Sequence, residues 1–144
     1  MENPTPDYDP RYLAGILFFN DRDFFEAHEV WEGLWLKAGG PERKFYQGLI
    51  QAAVALFHFS GGNLRGAMKL YRSAHNYMKE LPRPYLGLAV DHFWEQMGRC
   101  FAELLTATEP PRELRPSDDL MPMITLDPPP VRWPDLAEFE SNDE

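Results

Sequence analysis

Residues 24–35, FFEAHEVWEGLW, decide the fold, because they place a polar pair inside an apolar stripe with helical spacing. At about 100° of rotation per residue, His28 and Glu32 point within about 40° of each other. Four aromatic side chains lie within about 60° of His28 on the same side. They are Phe24, Phe25, Trp31 and Trp35. Asp23 and Glu26 match a capping box. The stretch therefore predicts a helix whose aromatic side faces the core and buries the His28/Glu32 pair.

The next helical segment, residues 42–59, supplies partners for this pair. It is apolar on nearly all sides, which predicts a central position in a bundle. Its polar stripe consists of Arg43, Gln47, Gln51 and His58. Because Gly39 and Gly40 leave only a short loop, the two helices should lie side by side with their polar side chains facing each other. We therefore predict a buried polar cluster in which Arg43 pairs with Glu32. Its members are His28, Glu32, Arg43, Gln47, Gln51 and His58.

The whole pattern predicts an all-α fold, a compact bundle of about five helices. The helical segments are approximately 10–19, 23–37, 42–59, 64–81 and 86–106, after a loose lead-in at 1–9. We assign residues 1–106 to one bundle domain and residues 107–144 to an extended tail, since eight of the 14 prolines lie in the tail. The apolar residues of the tail predict that part of it lies on the bundle or on a neighbouring subunit. Its acidic end, residues 141–144, is expected to be disordered.

Composition restricts the classes of function. The net charge of −9 argues against a nucleic-acid-binding protein, which would present a basic face. The single cysteine, Cys100, excludes an internal disulfide and a cysteine-rich zinc site. No apolar run is long enough to cross a membrane, and the polar N-terminus does not resemble a signal peptide. We therefore expect a cytoplasmic protein without a membrane partner.

Three stretches together resemble a known family. They are FFEAHEVWEGLW at 24–35, RKFYQGLIQAAVALFHF at 43–59 and GNLRGAMKLY at 62–71. The combination resembles a small helical family of bacteria and archaea known as domain of unknown function 309, over roughly residues 12–81. The resemblance implies a compact all-helical fold and no established activity. The family pattern includes the positions occupied here by Phe25, Glu26, His28, Glu29, Trp31, Glu32, Gln47, Gly48, Gln51, His58, Asn63, Gly66 and Ala67.

The sharpest chemical hypothesis is a divalent metal bound by His28, Glu32 and His58. Two ligands four residues apart share a helix face, and a third from a facing helix would complete an open site. The pattern departs from HExxH, because a glutamate replaces the second histidine and Glu29 points about 100° away from His28. The same three side chains could instead perform acid–base catalysis without a metal. A polar network that only fixes the helix register, with no cofactor, is the interpretation that we favour.

A different hypothesis is an interaction module. Trp35, Trp94 and Trp133 add aromatic surface of the kind that anchors protein interfaces. Further candidates for contact with a ligand or partner are Glu29, Trp31, Trp35 and Asn63. We therefore expect a structural or interaction protein that forms homo-oligomers. The alternative is a metal- or acid–base-dependent enzyme that acts on a small substrate beside His28, Glu32 and His58.

Overall fold

A computed structural model of the chain describes residues 7–140. Five α-helices form a compact bundle, and no strand occurs among these residues. The helices are α1 (Pro10–Asn20), α2 (Phe24–Trp35), α3 (Gly40–Gly61), α4 (Leu64–Met78) and α5 (Val90–Thr106). This confirms the predicted all-α fold of about five helices. The lead-in at 1–6 and the predicted disorder of residues 141–144 lie outside the described residues.

A few capping residues set the chain reversals. At the start of α1, the Asp9 carboxylate accepts a hydrogen bond from the backbone N–H of Arg11. Gly62 caps the end of α3, and its φ of +89° lies in the left-handed region that favours glycine. Asn63 then begins α4, because its side-chain oxygen accepts from the N–H of Gly66 at 3.0 Å. These short turns bring α3 against both α2 and α4.

Helix α3 is central, and its neighbours lie on different sides of it. Helix α4 packs on the side that carries Gly48, where an added Cβ would lie 2.7 Å from the sulfur of Met78. Helix α2 packs on the side of Phe57, whose ring centroid is 5.6 Å from that of Phe25. A third side carries fully buried core residues such as Phe45. Only one side of α3 therefore remains uncovered by another helix.

Trp31 joins α2 to α1 in the core. Its side chain is fully buried, and its indole N–H donates to the carbonyl of Tyr12 at 3.2 Å. The indole lies directly over Gly15, where any Cβ would overlap it. The ring of Phe19 packs nearby, with its centroid 6.0 Å away. Trp31 is therefore a packing residue in this structure, and its role in binding stays a prediction.

Helix α5 begins later than the predicted start near residue 86. Leu86 and Gly87 both have positive φ, +44° and +78°, which a helix does not allow. Tyr85 and Leu88 instead exchange two backbone hydrogen bonds of 3.0 and 2.8 Å around them. The residues before Val90 therefore form a tight turn.

Beyond α5, the described chain contains only two short 3-10 turns, Asp118–Leu120 and Leu136–Glu138. Part of this tail lies on the bundle, where Ile124 and Leu126 join the core. Asp127 donates its backbone N–H to the carbonyl of Gly87 at 2.9 Å. The division into a bundle domain and a tail at residue 107 stays a prediction. Among the helices of residues 7–140, none combines the length and the apolar character that crossing a membrane requires.

Candidate functional site

The six members of the predicted polar cluster lie at the surface. Among residues 7–140, no polar or charged residue is buried. The His28 side chain is 20% exposed and that of Glu32 is 55% exposed. Arg43, Gln47, Gln51 and His58 are half-buried. These exposures correct the predicted burial of the cluster.

The direction of the polar stripe explains this difference. Gly48 and Phe57 lie about 180° apart around α3, and they face α4 and α2 respectively. Gln47, Gln51 and His58 fall between these two directions, at about 60–120° from each. The stripe therefore points outward between α2 and α4, and not across the α2–α3 contact. The Gln51 side-chain oxygen is shielded nonetheless, and within residues 7–140 no hydrogen-bond partner reaches it.

Arg43 binds the end of α2 and not Glu32. Its guanidinium donates to the carbonyls of Trp35 and Ala38, both at 3.3 Å. The guanidinium carbon also lies 4.0 Å from the centre of the Trp35 ring, in a cation–π contact. The last carbonyls of a helix lack intrahelical partners and carry partial negative charge, so they attract a cation at this position. The predicted Arg43–Glu32 pairing was wrong, and Trp35 is the residue that Arg43 holds in place.

The hydrogen bonds of His28 determine its tautomer. Nδ1 lies 2.8 Å from the carbonyl oxygen of Phe25. A carbonyl oxygen can only accept, so Nδ1 carries the proton. Nε2 lies 3.7 Å from a carboxylate oxygen of Glu32. In the neutral imidazole, Nε2 therefore presents a lone pair at the surface.

His58 has the opposite tautomer. The backbone N–H of Gly66 donates to Oδ1 of Asn63, which turns the Asn63 amide nitrogen toward Nδ1 of His58 at 3.4 Å. The amide nitrogen can only donate, so Nδ1 of His58 accepts. In the neutral ring, Nε2 of His58 therefore carries the proton. Asn63, a predicted binding residue, both caps α4 and orients this histidine.

Two phenylalanines lie between the histidines. The ring of Phe25 is 5.0 Å from that of His28 and 5.6 Å from that of Phe57, between centroids. Phe57 is in turn 6.0 Å from His58. Phe25 and Phe57 are 45% and 46% exposed, although phenylalanine is among the residues most often buried. We call His28, Phe25, Phe57 and His58 the histidine–phenylalanine row, and we take it as the candidate site.

The row lies in the part of the chain that resembles other proteins. The profile of the family described as "Domain of unknown function (DUF309)" matches residues 12–70. A crystal structure of a conserved hypothetical protein from Thermus thermophilus aligns with a TM-score of 0.56 and 30% sequence identity. That alignment covers 67% of this chain and 96% of the Thermus chain. This chain belongs to the DUF309 family.

Two further relatives are named as uncharacterized proteins. The protein YpuF of Bacillus subtilis (strain 168) is 33% identical over 87 residues, which are 59% of this chain and 50% of YpuF. A protein of Aquifex aeolicus (strain VF5) is 35% identical over 71 residues, 49% of this chain and 21% of that protein. The matched part thus spans half or less of each of these two relatives.

The predicted metal site is not assembled. Among residues 7–140, no group of three or more His, Cys, Asp and Glu side chains is placed to hold a metal ion. His28 and Glu32 do lie together on α2, but Nδ1 of His58 faces Asn63. Glu29 lies in a shallow depression that Phe139 of the tail also lines, away from the row. Within the part of the chain that the structure describes, the row thus brings imidazoles and phenyl rings together without a three-ligand metal site.

Sequence reasoning missed Phe57. The spacing placed Phe25 beside His28, which the ring contact bears out. Phe57 was counted only among the apolar residues of α3. Its position directly before His58, at the edge of the polar stripe, was the available signal.

Proposed function

We propose that this protein is an interaction module that self-associates through the outward side of α3 and the adjoining row. The observation that carries the proposal is the uncovered side of the central helix. Helices α2 and α4 flank α3, yet its polar stripe and the half-buried Val54 within it face outward. A helix that is apolar on its other sides normally lies inside a bundle. A partner that binds this side would cover the part of α3 that no other helix contacts.

The row gives this surface an aromatic anchor. The rings of Phe25 and Phe57 pack against each other at a tilt of 48°, and both residues are nearly half exposed to solvent. Aromatic residues that are desolvated at the centre of an interface contribute much of its binding energy. Because the rings come from α2 and α3, one partner would contact both helices at once. The position of the row therefore favours a protein surface as partner.

The polar groups favour a second copy of the same chain. In a two-fold dimer the same patch faces itself, so the patch must be self-complementary. Gln47 and Gln51 meet this condition, since each amide both donates and accepts hydrogen bonds. The net charge of −9 would repel two copies, but Glu32 is the single carboxylate among the six residues of the polar cluster. Repulsion is therefore smaller on this side of the molecule than the total charge suggests.

Sedimentation velocity over a range of concentrations tests the proposal. The wild type should form dimers, and Phe57→Ser should weaken the dimer at least tenfold, which corresponds to about 1.4 kcal/mol. Val131→Ser is the matched control, because Val131 is 75% exposed in the tail and its loss also reduces exposed apolar surface. That control should dimerise like the wild type. A wild type that stays monomeric at several hundred micromolar would refute self-association.

The opposite tautomers favour a second candidate, acid–base catalysis on a small molecule. Nε2 of His28 presents a lone pair that can accept a proton, and Nε2 of His58 presents a proton that can be donated. The test compares wild type, His28→Gln and His58→Gln in the Kemp elimination of 5-nitrobenzisoxazole, in which a base removes a proton from carbon and a phenolate oxygen leaves. A rate above that of free imidazole, lost in each variant, supports catalysis. Equal rates in all three proteins contradict it.

A further inference from the structure

The tail lies on the bundle in the manner of a bound peptide. Within residues 122–126, Pro122, Ile124 and Leu126 are buried, whereas Met123 and Thr125 are exposed. This alternation is that of an extended chain with one face against a surface. Ile124 and Leu126 join the core, and the backbone between α1 and α5 bonds to side chains of both helices. The bundle therefore contains a groove that accepts an extended segment.

Two amide side chains hold the backbone of this segment. Asn20 of α1 donates to the carbonyl of Ile124 at 2.8 Å and accepts from its N–H at 2.7 Å. Gln96 of α5 donates to the carbonyl of Met123 at 2.9 Å and accepts from its N–H at 3.0 Å. Each amide thus satisfies both backbone groups of one residue, as a neighbouring β-strand would. These contacts recognise the extended backbone and not the side chains.

Further bonds fix the two ends of the segment. Tyr8 donates its hydroxyl to the carbonyl of Pro128 at 2.7 Å. Arg22 pairs with the carboxylate of Asp118 at 2.8 Å and also donates to the Asp118 carbonyl. Leu126 pairs with Leu88 in an isolated antiparallel bridge. The groove therefore determines both the position and the direction of its occupant.

The connection from α5 to the segment packs on the bundle through Leu114 and Arg115, but its hydrogen bonds are internal. Within the described part of residues 108–117, the hydrogen bonds join nearby residues, such as Leu114 to Pro111 and Arg115 to Arg112. Its path could therefore change without breaking hydrogen bonds to the bundle. Residues 107–117 reach about 36 Å when extended, which exceeds the diameter of a small domain. A tail that leaves its own groove can reach a neighbouring molecule.

We propose that the groove between α1 and α5 also binds residues 118–128 of a second copy, so that two protomers can exchange tails. The ligand is an extended peptide with apolar residues at alternate positions. An exchanged tail makes the same contacts in the second groove as it makes in its own. At low concentration the covalent connection favours the chain's own groove, so exchange rises with protein concentration. This exchange does not need the outward side of α3.

Mixing two full-length variants tests the exchange. The first carries Asn20→Leu and Gln96→Leu, which disable its groove, and the second carries Ile124→Asp and Leu126→Asp, which disable its tail. Both also carry Phe57→Ser, which removes the association surface proposed above. Only the mixture pairs an intact tail with an intact groove, so only the mixture should form a 1:1 complex in sedimentation. No complex in the mixture at several hundred micromolar would overturn the proposal, whatever the wild type shows.

If the groove variant does not fold, a peptide titration tests the proposal instead. The probe is a fluorescent peptide of residues 117–130, added to the full-length chain that carries Ile124→Asp and Leu126→Asp. Circular dichroism first establishes that this chain is helical. Saturable binding is expected, and methylation of the peptide nitrogen at Ile124 should weaken it at least tenfold, because that N–H bonds to Asn20. Equal affinity for the methylated peptide would contradict recognition of the backbone.

Discussion

Substituting Gly15 by alanine tests the central contact between α1 and α2. An alanine Cβ would overlap three atoms of the Trp31 indole. The indole cannot easily move away, because it is fully buried and bonded to the Tyr12 carbonyl. We therefore expect Gly15→Ala to lower the free energy of unfolding, although alanine is the better helix former.

The magnitude follows from three contributions. Overpacking of this kind costs about 3 kcal/mol where the neighbour is fixed. Displacing the indole also weakens its hydrogen bond, which contributes about 1 kcal/mol. The higher helix propensity of alanine returns about 1 kcal/mol. The expected net loss is therefore about 3 kcal/mol, which urea unfolding followed by circular dichroism at 222 nm can measure.

Gly33→Ala is the matched control. Gly33 also lies within a helix, but an added Cβ there meets no atom within 4 Å. The same substitution should therefore raise the free energy of unfolding by about 0.5 kcal/mol. A Gly15→Ala protein as stable as the Gly33→Ala protein would refute the packing argument. Combining Gly15→Ala with Trp31→Leu should recover at least about 1 kcal/mol relative to additivity, since the smaller side chain leaves room for the methyl group.

Three further predictions follow from the described contacts. His28→Ala should lower the free energy of unfolding by only about 1 kcal/mol in urea titration, because the ring makes one hydrogen bond, to the Phe25 carbonyl. A loss above about 3 kcal/mol would indicate a buried network. Burial raises the pKa of Tyr12 and Tyr46, so above pH 10 the folded chain holds more protons than the unfolded chain, and the unfolding free energy should fall as pH rises. The part of the tyrosine absorbance at 295 nm that Tyr12→Phe and Tyr46→Phe remove should therefore rise together with unfolding, and a rise of that part before unfolding would contradict the prediction. Burial also raises the pKa of Cys100 to about 11, so its reaction with Ellman's reagent at pH 8 should be on the order of 100-fold slower than in urea.

Local signals in the sequence were sufficient for most of the fold. Asp9 before Pro10, the Gly39–Gly40 pair and Asn63 each predicted a helix boundary close to the one observed. The start of α5 was missed because Leu86 adopts positive φ, which leucine rarely does. That conformation depends on the turn between Tyr85 and Leu88, and the residue type gives no sign of it.

The sequence predicted which polar side chains share one side of α3, but not whether that side is buried. Helical spacing states which side chains share a direction on α3, but it does not state where the neighbouring helices lie. Gly48 admits α4 on one side and Phe57 meets α2 on the other, so the stripe that contains Gln51 points outward. The partner of Arg43 could not be predicted from the residue pattern either. Arg43 binds backbone carbonyls at the end of α2, and every helix has such carbonyls whatever its sequence.

The alternating exposure of the tail has a practical consequence. Thr125 points into solvent between two anchored neighbours, and neither amide of the groove touches it. A cysteine introduced there can carry a fluorophore or spin label that reports on the tail without breaking its contacts with the bundle. The native thiol is concealed in α5, so labelling would be selective for the new position. Spectroscopy on single molecules could then follow the tail directly as it leaves and returns.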